Sequence, residues 1–451
     1  MIRRFCAVAI LLLLGASAAR GDSLEDMKRA CLERANFHKG IHWLEECVQE
    51  TFTAEPFHIA LTSIAPGAGT AALGPGFGMV PRINHLEFLL AGTAAVSADG
   101  SNIEQAQATF AFPSRALTRL DDTAPSAVDK YGLHALDRRR QGNPIDTKLS
   151  FTLRIKRFDA REQDFYGLGP NTLRSGLASY GLMLTETYAG VNNPLTSWSS
   201  LGFDFSFLQP RVTSSINTLP AIKAVYSEAT APGLTAHDDF LHYEPYLIFR
   251  IPPQRSYYTT LRAGYAFYQA MGDSRLSFQR LSGASATAIP LWIPSHNTPS
   301  HRSRFANAMC PTLRSATRCS LGDLSLLATV VASYTRAGGA VPFYFDQTLG
   351  GSNISGDDTL RGYADYRFRA PSSVLFQVEY RRSLWGPIGL LSFYDTGKVA
   401  LLPSEISLGQ LRHDIGFGLY LRAGNHEVAR LYIAFGTGEG TQVKPKFANS
   451  F

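Results

Sequence analysis

The sequence predicts an all-β chain, a transmembrane antiparallel β-barrel of sixteen strands with a short N-terminal helical segment. Three observations carry this expectation. From Glu55 onward, apolar and polar residues alternate with a period of two in segment after segment, the pattern of strands with two unlike faces. One of those faces bears large apolar and aromatic side chains all along the chain, and no helical layer follows that could cover it. Beyond the N-terminus there is no apolar run of the ~18 residues that a membrane helix needs. In a bilayer such a face needs no cover, but the backbone groups must then pair among themselves, which demands a closed barrel. The 19 Tyr and 28 Phe suit strands and interfacial girdles.

The first residues read as an export signal, residues 1–21. Arg3 and Arg4 precede an apolar stretch from Ala7 to Ala19 centred on Leu11 to Leu14, and small residues (Ala16, Ser17, Ala18, Ala19) stand before Asp22. That stretch is too short to span a bilayer as a helix. Its removal takes Arg3, Arg4 and Arg20, which lowers the formal charge from +6 by three to +3. A balance this weak argues against a nucleic-acid partner. Cys6 leaves with the signal, and four cysteines remain in two local pairs. An exported chain meets an oxidising compartment, so disulfides Cys31–Cys47 and Cys310–Cys319 are expected, with the other pairings open. His296 and His301 lie near the second pair, but their spacing fits no usual metal-ligand pattern.

Residues 22–54 read as a short helical periplasmic segment. Ser23 followed by Asp26 resembles a capping box; Leu24, Met27 and Cys31 share one face, and after Gly40 so do Ile41, Leu44, Cys47 and Val48. The barrel is expected over residues 55–451. Phe57 to Thr62 forms a first strand; Phe151, Leu153 and Ile155 alternate with Thr152, Arg154 and Lys156; Leu201, Phe203, Phe205 and Phe207 alternate with Gly202, Asp204 and Ser206. Leu261, Ala263, Tyr265 and Phe267 oppose Arg262 and Gly264; Phe376, Val378 and Tyr380 oppose Gln377, Glu379 and Arg381; Ile415, Phe417, Leu419 and Leu421 oppose Gly416, Gly418 and Arg422. The long polar stretches Asp121–Asn143 and Ala284–Leu321 are expected to be extracellular loops, and the short turn Ala370–Ser373 to face the periplasm.

No catalytic constellation emerges, so the chain is not expected to be an enzyme and no cofactor or metal is implied. Gly351 to Gly356 lacks the spacing of a nucleophile elbow. Gly436, Gly438 and Gly440 lack the Lys-Ser/Thr of a phosphate loop. Asp357-Asp358 and Asp238-Asp239 read as solvated loop acids.

The informative stretch is Leu360-Arg361-Gly362-Tyr363, an arginine between glycine-rich turns, followed by the strand Phe393-Tyr394-Asp395-Thr396-Gly397. Strand parity puts Asp395 with Leu391, Phe393 and Gly397 on the face assigned to the lumen. These two motifs resemble the V-R-G-[FY] loop and the F-x-D-x-G strand of the bacterial surface antigen barrels, the superfamily of outer-membrane protein assembly factors and two-partner secretion transporters. The turn Asp164 to Thr172 resembles one common in these barrels. Phe451, with Phe447 and Val443 at even offsets, resembles the terminal signal by which outer-membrane barrels are recognised for insertion. The resemblance covers about residues 55 to 451 and is strongest in the last hundred.

The resemblance implies an integral bacterial outer-membrane protein surrounded by outer-membrane lipid. Its sixth extracellular loop would fold into the lumen and pair Arg361 with Asp395. It also implies a role in assembling outer-membrane protein or lipid or in exporting polypeptide, with client polypeptides or a separate periplasmic subunit as partners. Two features depart from the family. Residues 22–54 are too short for a polypeptide-transport-associated domain, so the chain resembles a barrel-only member. Pro445 removes a ladder donor from the last strand. The competing expectation is a passive channel, or a structural or display barrel, that keeps the fold without handling clients.

Overall fold

The computed structural model describes residues 57–63, 71–79, 82–83, 86–112, 149–196, 198–251, 258–294, 318–353, 357–385, 387–423 and 426–447. The signal, the segment 22–54, Cys31, Cys47, Cys310 and Phe451 lie outside these residues.

The strands are β1 (Phe57–Ser63), β2 (Ala71–Met79), β3 (Arg82–Ile83), β4 (Leu86–Ser97), β5 (Asn102–Phe112), β6 (Leu149–Phe165), β7 (Ala178–Thr196), β8 (Ser199–Thr213), β9 (Phe240–Ile251) and β10 (Tyr258–Ala270). There follow β11 (Phe278–Pro294), β12 (Arg318–Thr335), β13 (Gln347–Leu349), β14 (Phe368–Ala370), β15 (Ser372–Trp385), β16 (Ile388–Ala400), β17 (Arg412–Ala423), β18 (His426–Gly436) and β19 (Gly440–Phe447). Each wall strand pairs antiparallel with the next in sequence, from β1–β2 round to β18–β19. The two-residue β3 continues β2 along β4, and β13 pairs only with β14, inside the loop that joins β12 to β15. Setting these three aside leaves sixteen wall strands among the described residues, the number expected from the sequence. β1 and β19 lie side by side, with Cα atoms within 8 Å, and bring the meander back on itself.

The two faces of the wall follow the alternation. Phe151, Leu153, Phe203, Phe205, Ile415, Phe417, Leu419 and Leu431 stand exposed on the outside, where a bilayer would cover them. Inside, Arg154, Glu244, Arg361 and Asp395 are all at least nine-tenths buried. Some inner aromatic rings lie flat over a glycine on the neighbouring strand. Tyr246 is paired with Gly202 and Tyr420 with Gly389, and a Cβ at either glycine would meet the ring at 2.0 Å.

Up-and-down pairing assigns every connection to one of two mouths. The start of β1 and the end of β19 share one, the terminal mouth. The loop between β12 and β15, which carries Arg361, is at the other, the loop mouth. This corrects three expectations. The stretches containing Asp121–Asn143 and Ala284–Leu321 join β5 to β6 and β11 to β12, and those strand ends lie at the terminal mouth, opposite Arg361. Ala284–Leu321 is also partly wall, since β11 runs to Pro294 and β12 begins at Arg318. Ala370–Ser373 is not a turn at the terminal mouth; it is the step from β14 into β15 at the loop mouth. Polarity and length mark a stretch as a loop, but its side depends on the parity of every strand before it. A small sheet folded into the lumen leaves no mark in that count.

The wall is uneven in height. β7 has 19 residues and β12 has 18, whereas β1 has 7 and β19 has 8. At ~3.3 Å per residue the tall strands reach well past a ~30 Å hydrocarbon layer, whereas the described residues of the seam strands, ~23 and ~26 Å long, fall short of it. The loop mouth is filled. Phe343 in the Arg361 loop packs edge-on against Phe165 at 5.2 Å and Tyr180 at 5.0 Å, and Phe345 against Phe240 at 5.0 Å. The β8–β9 connection adds the buried Ile222 of a single-turn helix, α1 (Ile222–Val225), and Leu234.

Candidate functional site: a loop locked inside the barrel

The loop enters the lumen as the short hairpin β13–β14, whose register runs Gln347 to Ala370 and Leu349 to Phe368. Leu349, Leu360, Tyr363, Phe368 and Ala370 pack on Leu375 of β15 and Val399 of β16, an apolar anchor that holds the loop against the wall. Leu360 and Tyr363 are fully buried. The Tyr363 hydroxyl donates to the carbonyl of His413 at 3.1 Å and lies 3.3 Å from that of Thr437, so it reaches the loop-mouth ends of β17 and β18.

On this anchor Arg361 meets Asp395, as the two motifs imply. Nε donates to Oδ2 and Nη2 to Oδ1, both at 2.7 Å, and the Arg361 backbone N–H adds a bond to Oδ2 at 3.3 Å. The remaining Nη1 donates to Glu379 of β15. Gln377 donates to Asp395 Oδ1 at 3.1 Å and to the Thr359 carbonyl at 3.0 Å. The guanidinium lies 3.5 Å above the Phe393 ring centroid, a cation–π contact in a dry setting. Arg361 is 2% exposed and Asp395 0%. Such a pair is tolerable because geometry and satisfied bonds are both good, and it becomes costly when either partner is lost. The strand motif thus divides its work by position. Phe393 is the platform under the guanidinium and Asp395 is the acceptor. Gly397 is the clearance, since a Cβ there would meet the Val374 carbonyl at 2.7 Å and Leu349 of the loop at 3.2 Å.

The lock extends well beyond the two motifs. Asp358 accepts from Arg430 of β18 at 2.6 Å and from Lys446 of β19 at 2.5 Å. Lys444 of β19 donates to Asp365 at 2.6 Å and to the Tyr363 carbonyl at 3.1 Å. Glu379 also pairs with Arg381, Arg381 with Glu427 at 2.9 Å, and Glu427 with Arg430, so alternating charges run along the inner wall from β15 to β18. On the other side Arg367 donates to the hydroxyl and the carbonyl of Thr172, each at 2.8 Å, and to Glu439 at 2.8 Å. Gly169 donates its N–H to the Arg369 carbonyl at 2.7 Å. The turn Asp164 to Thr172 is thus where the loop rests against the far wall. Arg369 is 0% exposed; it donates to the Tyr180 hydroxyl at 2.9 Å and the Phe343 carbonyl at 3.0 Å, amid Phe165, Tyr180, Phe343 and Tyr366.

Burial alone would raise the Asp358 carboxyl, but Lys446 and Arg430 outweigh it and hold the group well below the usual carboxylate range. A depressed acid adds stability above its unfolded pKa, near 3.9, and loses it as pH falls toward the folded value. The Asp358 contribution to docking is therefore expected to persist at neutral and mildly acidic pH and to fade only below about pH 4. Hydrogen-exchange protection of residues 357–363, corrected for the intrinsic rate, should drop below that pH. A drop already near pH 6 would contradict the ion-pair account.

Among the sequence-predicted residues, the structure gathers Leu360, Arg361, Gly362, Tyr363, Phe393, Asp395 and Gly397 at one place. Cys319 falls at the terminal-mouth end of β12, opposite Ile293. Phe447 closes β19 opposite Ala429. Sequence reasoning missed Asp358, Glu379, Lys444, Lys446, Arg367 and Arg369 as parts of the lock. The available signal was parity: Glu379 lies two residues past Gln377 on the polar face of its strand, and Lys444 and Lys446 flank Pro445 on one face of theirs.

No family model matches the sequence, and no curated protein does. Solved structures similar to the chain include CdiB from Acinetobacter baumannii, at 10% identity and a TM-score of 0.46 over 87% of this chain. BamA from Haemophilus ducreyi lacking POTRA domains 1-3 is similar at 10% identity and a TM-score of 0.49, over 86% of this chain and 69% of that one. CdiB from Escherichia coli is similar at 9% identity and a TM-score of 0.45, over 93% of this chain and 73% of that one. The chain spans 58% of the length of the Acinetobacter protein.

Proposed function

We propose that this chain is a non-catalytic outer-membrane barrel that assembles outer-membrane protein or lipid, or moves polypeptide, by opening the wall between β1 and β19. The observation that carries the reading is a weak seam beside a strongly locked loop. β1 and β19 are among the shortest wall strands. The β18–β19 ladder runs without a shift through Pro445, opposite Leu431. In an antiparallel pair that continuity requires the neighbours, Lys444 and Lys446, to make the hydrogen bonds to β18. The nitrogen of Pro445 then points toward β1 and has no proton to donate. A short strand that lacks a donor on its outer edge is cheaper to separate, and an open edge can pair with a client strand.

Cysteine pairs placed across β1 and β19, in a background free of the native cysteines, test this. Oxidation should abolish insertion of client barrels into liposomes, and a reductant should restore it. Full activity with the seam sealed would sink the reading. The filled loop mouth favours one competing reading, a plugged passive barrel. In that case Arg361→Ala raises conductance in planar bilayers while neither form inserts clients.

A further inference from the structure

We propose that Lys444 and Lys446 couple the Arg361 loop to the closing strand, so that β19 leaves the seam only after the loop releases it. This rests on the seam reading above and names the residues that would control it.

The geometry divides the lock into two halves. Arg361 pins the loop to β15 and β16 through Glu379 and Asp395. The lysines pin β19 to the same loop on both sides of Arg361: Lys446 through Asp358, three residues before it, and Lys444 through Asp365, four residues after it. The loop is thus a strap across the inner wall from β15 to β19. Nothing in the Arg361–Asp395 pair requires β19. β19 is otherwise joined to β18 along one edge only, over eight residues, and Pro445 offers β1 no donor. Lys444 and Lys446 alternate with Val443 and Pro445, which face outward; Val443 is 61% exposed. The ion pairs therefore fall on the lumen side of the one strand with the weakest outer attachment. Both lysines are less than one-fifth exposed and their partners Asp358 and Asp365 are 7% and 22% exposed, so water screens these contacts only in part. With the strap in place, β19 is held from within; with it released, β19 relies on the β18 ladder and its contact with β1.

The test is hydrogen exchange on the full chain in lipid nanodiscs. In Lys444→Gln with Lys446→Gln, the amides of residues 441–444, 446 and 447 should exchange about tenfold faster or more. Amides 359–363, still held by Arg361 and by Arg430 on Asp358, should change less than those of β19, and strands β6 to β12 should keep wild-type protection. Unchanged exchange at β19 would overturn the proposal. If the double variant loosens the whole barrel, the swap Lys444→Asp with Asp365→Lys decides: restored β19 protection supports the strap, and failure to restore it refutes it. The two readings also part cleanly. Faster β19 exchange together with full client insertion through a sealed seam would leave the strap standing and remove the seam function.

Discussion

Arg361→Ala is expected to destabilise the barrel by ~3–5 kcal/mol in urea unfolding from lipid vesicles, far more than a surface charge deletion would. The variant leaves Asp395, 0% exposed, without its cation, while Glu379 beside it keeps only Arg381. Uncompensated buried charge is the costly outcome, and the loss of attraction is the smaller part of it. Asp395→Ala should cost less than Arg361→Ala, because Glu379 still receives the guanidinium. The double variant should cost less than the sum of the two, since the second change removes a charge that the first had stranded. Arg361→Lys should fall between wild type and alanine: an ammonium keeps the charge and three donors on one nitrogen, but it lacks the planar fork that spans both Asp395 oxygens and Glu379. Unfolding of Arg361→Ala within ~0.5 kcal/mol of wild type would show that the apolar anchor holds the loop alone.

Gly362→Val is expected to expel the loop tip. A Cβ at 362 would stand 2.6 Å from Asp414 Cβ and 2.6 Å from the Gly436 nitrogen, and neither can move without displacing the wall. Overpacking of this kind costs ~1–3 kcal/mol or more, and here it also separates the adjacent Arg361 from Asp395. Exchange protection of residues 357–363 should fall, and protease should cut the loop. Gly409→Ala is the matched control. Its nearest neighbour would be Ser407 Oγ at 3.9 Å, so stability should stay within about 0.5 kcal/mol of wild type. Normal loop protection in Gly362→Val would mean that the tip docks otherwise than described.

Much of the lock was legible because a strand has a period of two. Once Phe393 and Asp395 were placed on one strand, Leu391 and Gly397 had to share their face, and all of them line the lumen. Phe393, Asp395 and Gly397 then each serve Arg361 in a different way, by stacking, by accepting its hydrogen bonds and by leaving room for its loop. Glu379 was visible as a lumen-face charge, but nothing local says that it lies beside Asp395. That adjacency comes from the β15–β16 register, which pairs Gln377 with Asp395 and Glu379 with Phe393. Lys444 and Lys446 were harder still. Their partners are about 80 residues away, and the contact exists only because the loop folds back under strands that follow it in sequence.

What the sequence by itself determined is the class of surface each segment presents, apolar outward and polar inward in strand after strand; the pairing of the arginine loop with the acid strand came from the resemblance of their two motifs to a known family. Alternation is a local property, so it survives without coordinates. What only the tertiary structure decided is where things lie relative to one another. The long polar connections share the terminal mouth, opposite Arg361, because the parity of each preceding strand sets the side. The loop straps β15 to β19 because the register of five neighbouring strands stacks Glu379, Asp395, Arg430, Lys444 and Lys446 around it. Register and closure are set jointly by all the strands, and no single stretch of the chain contains them.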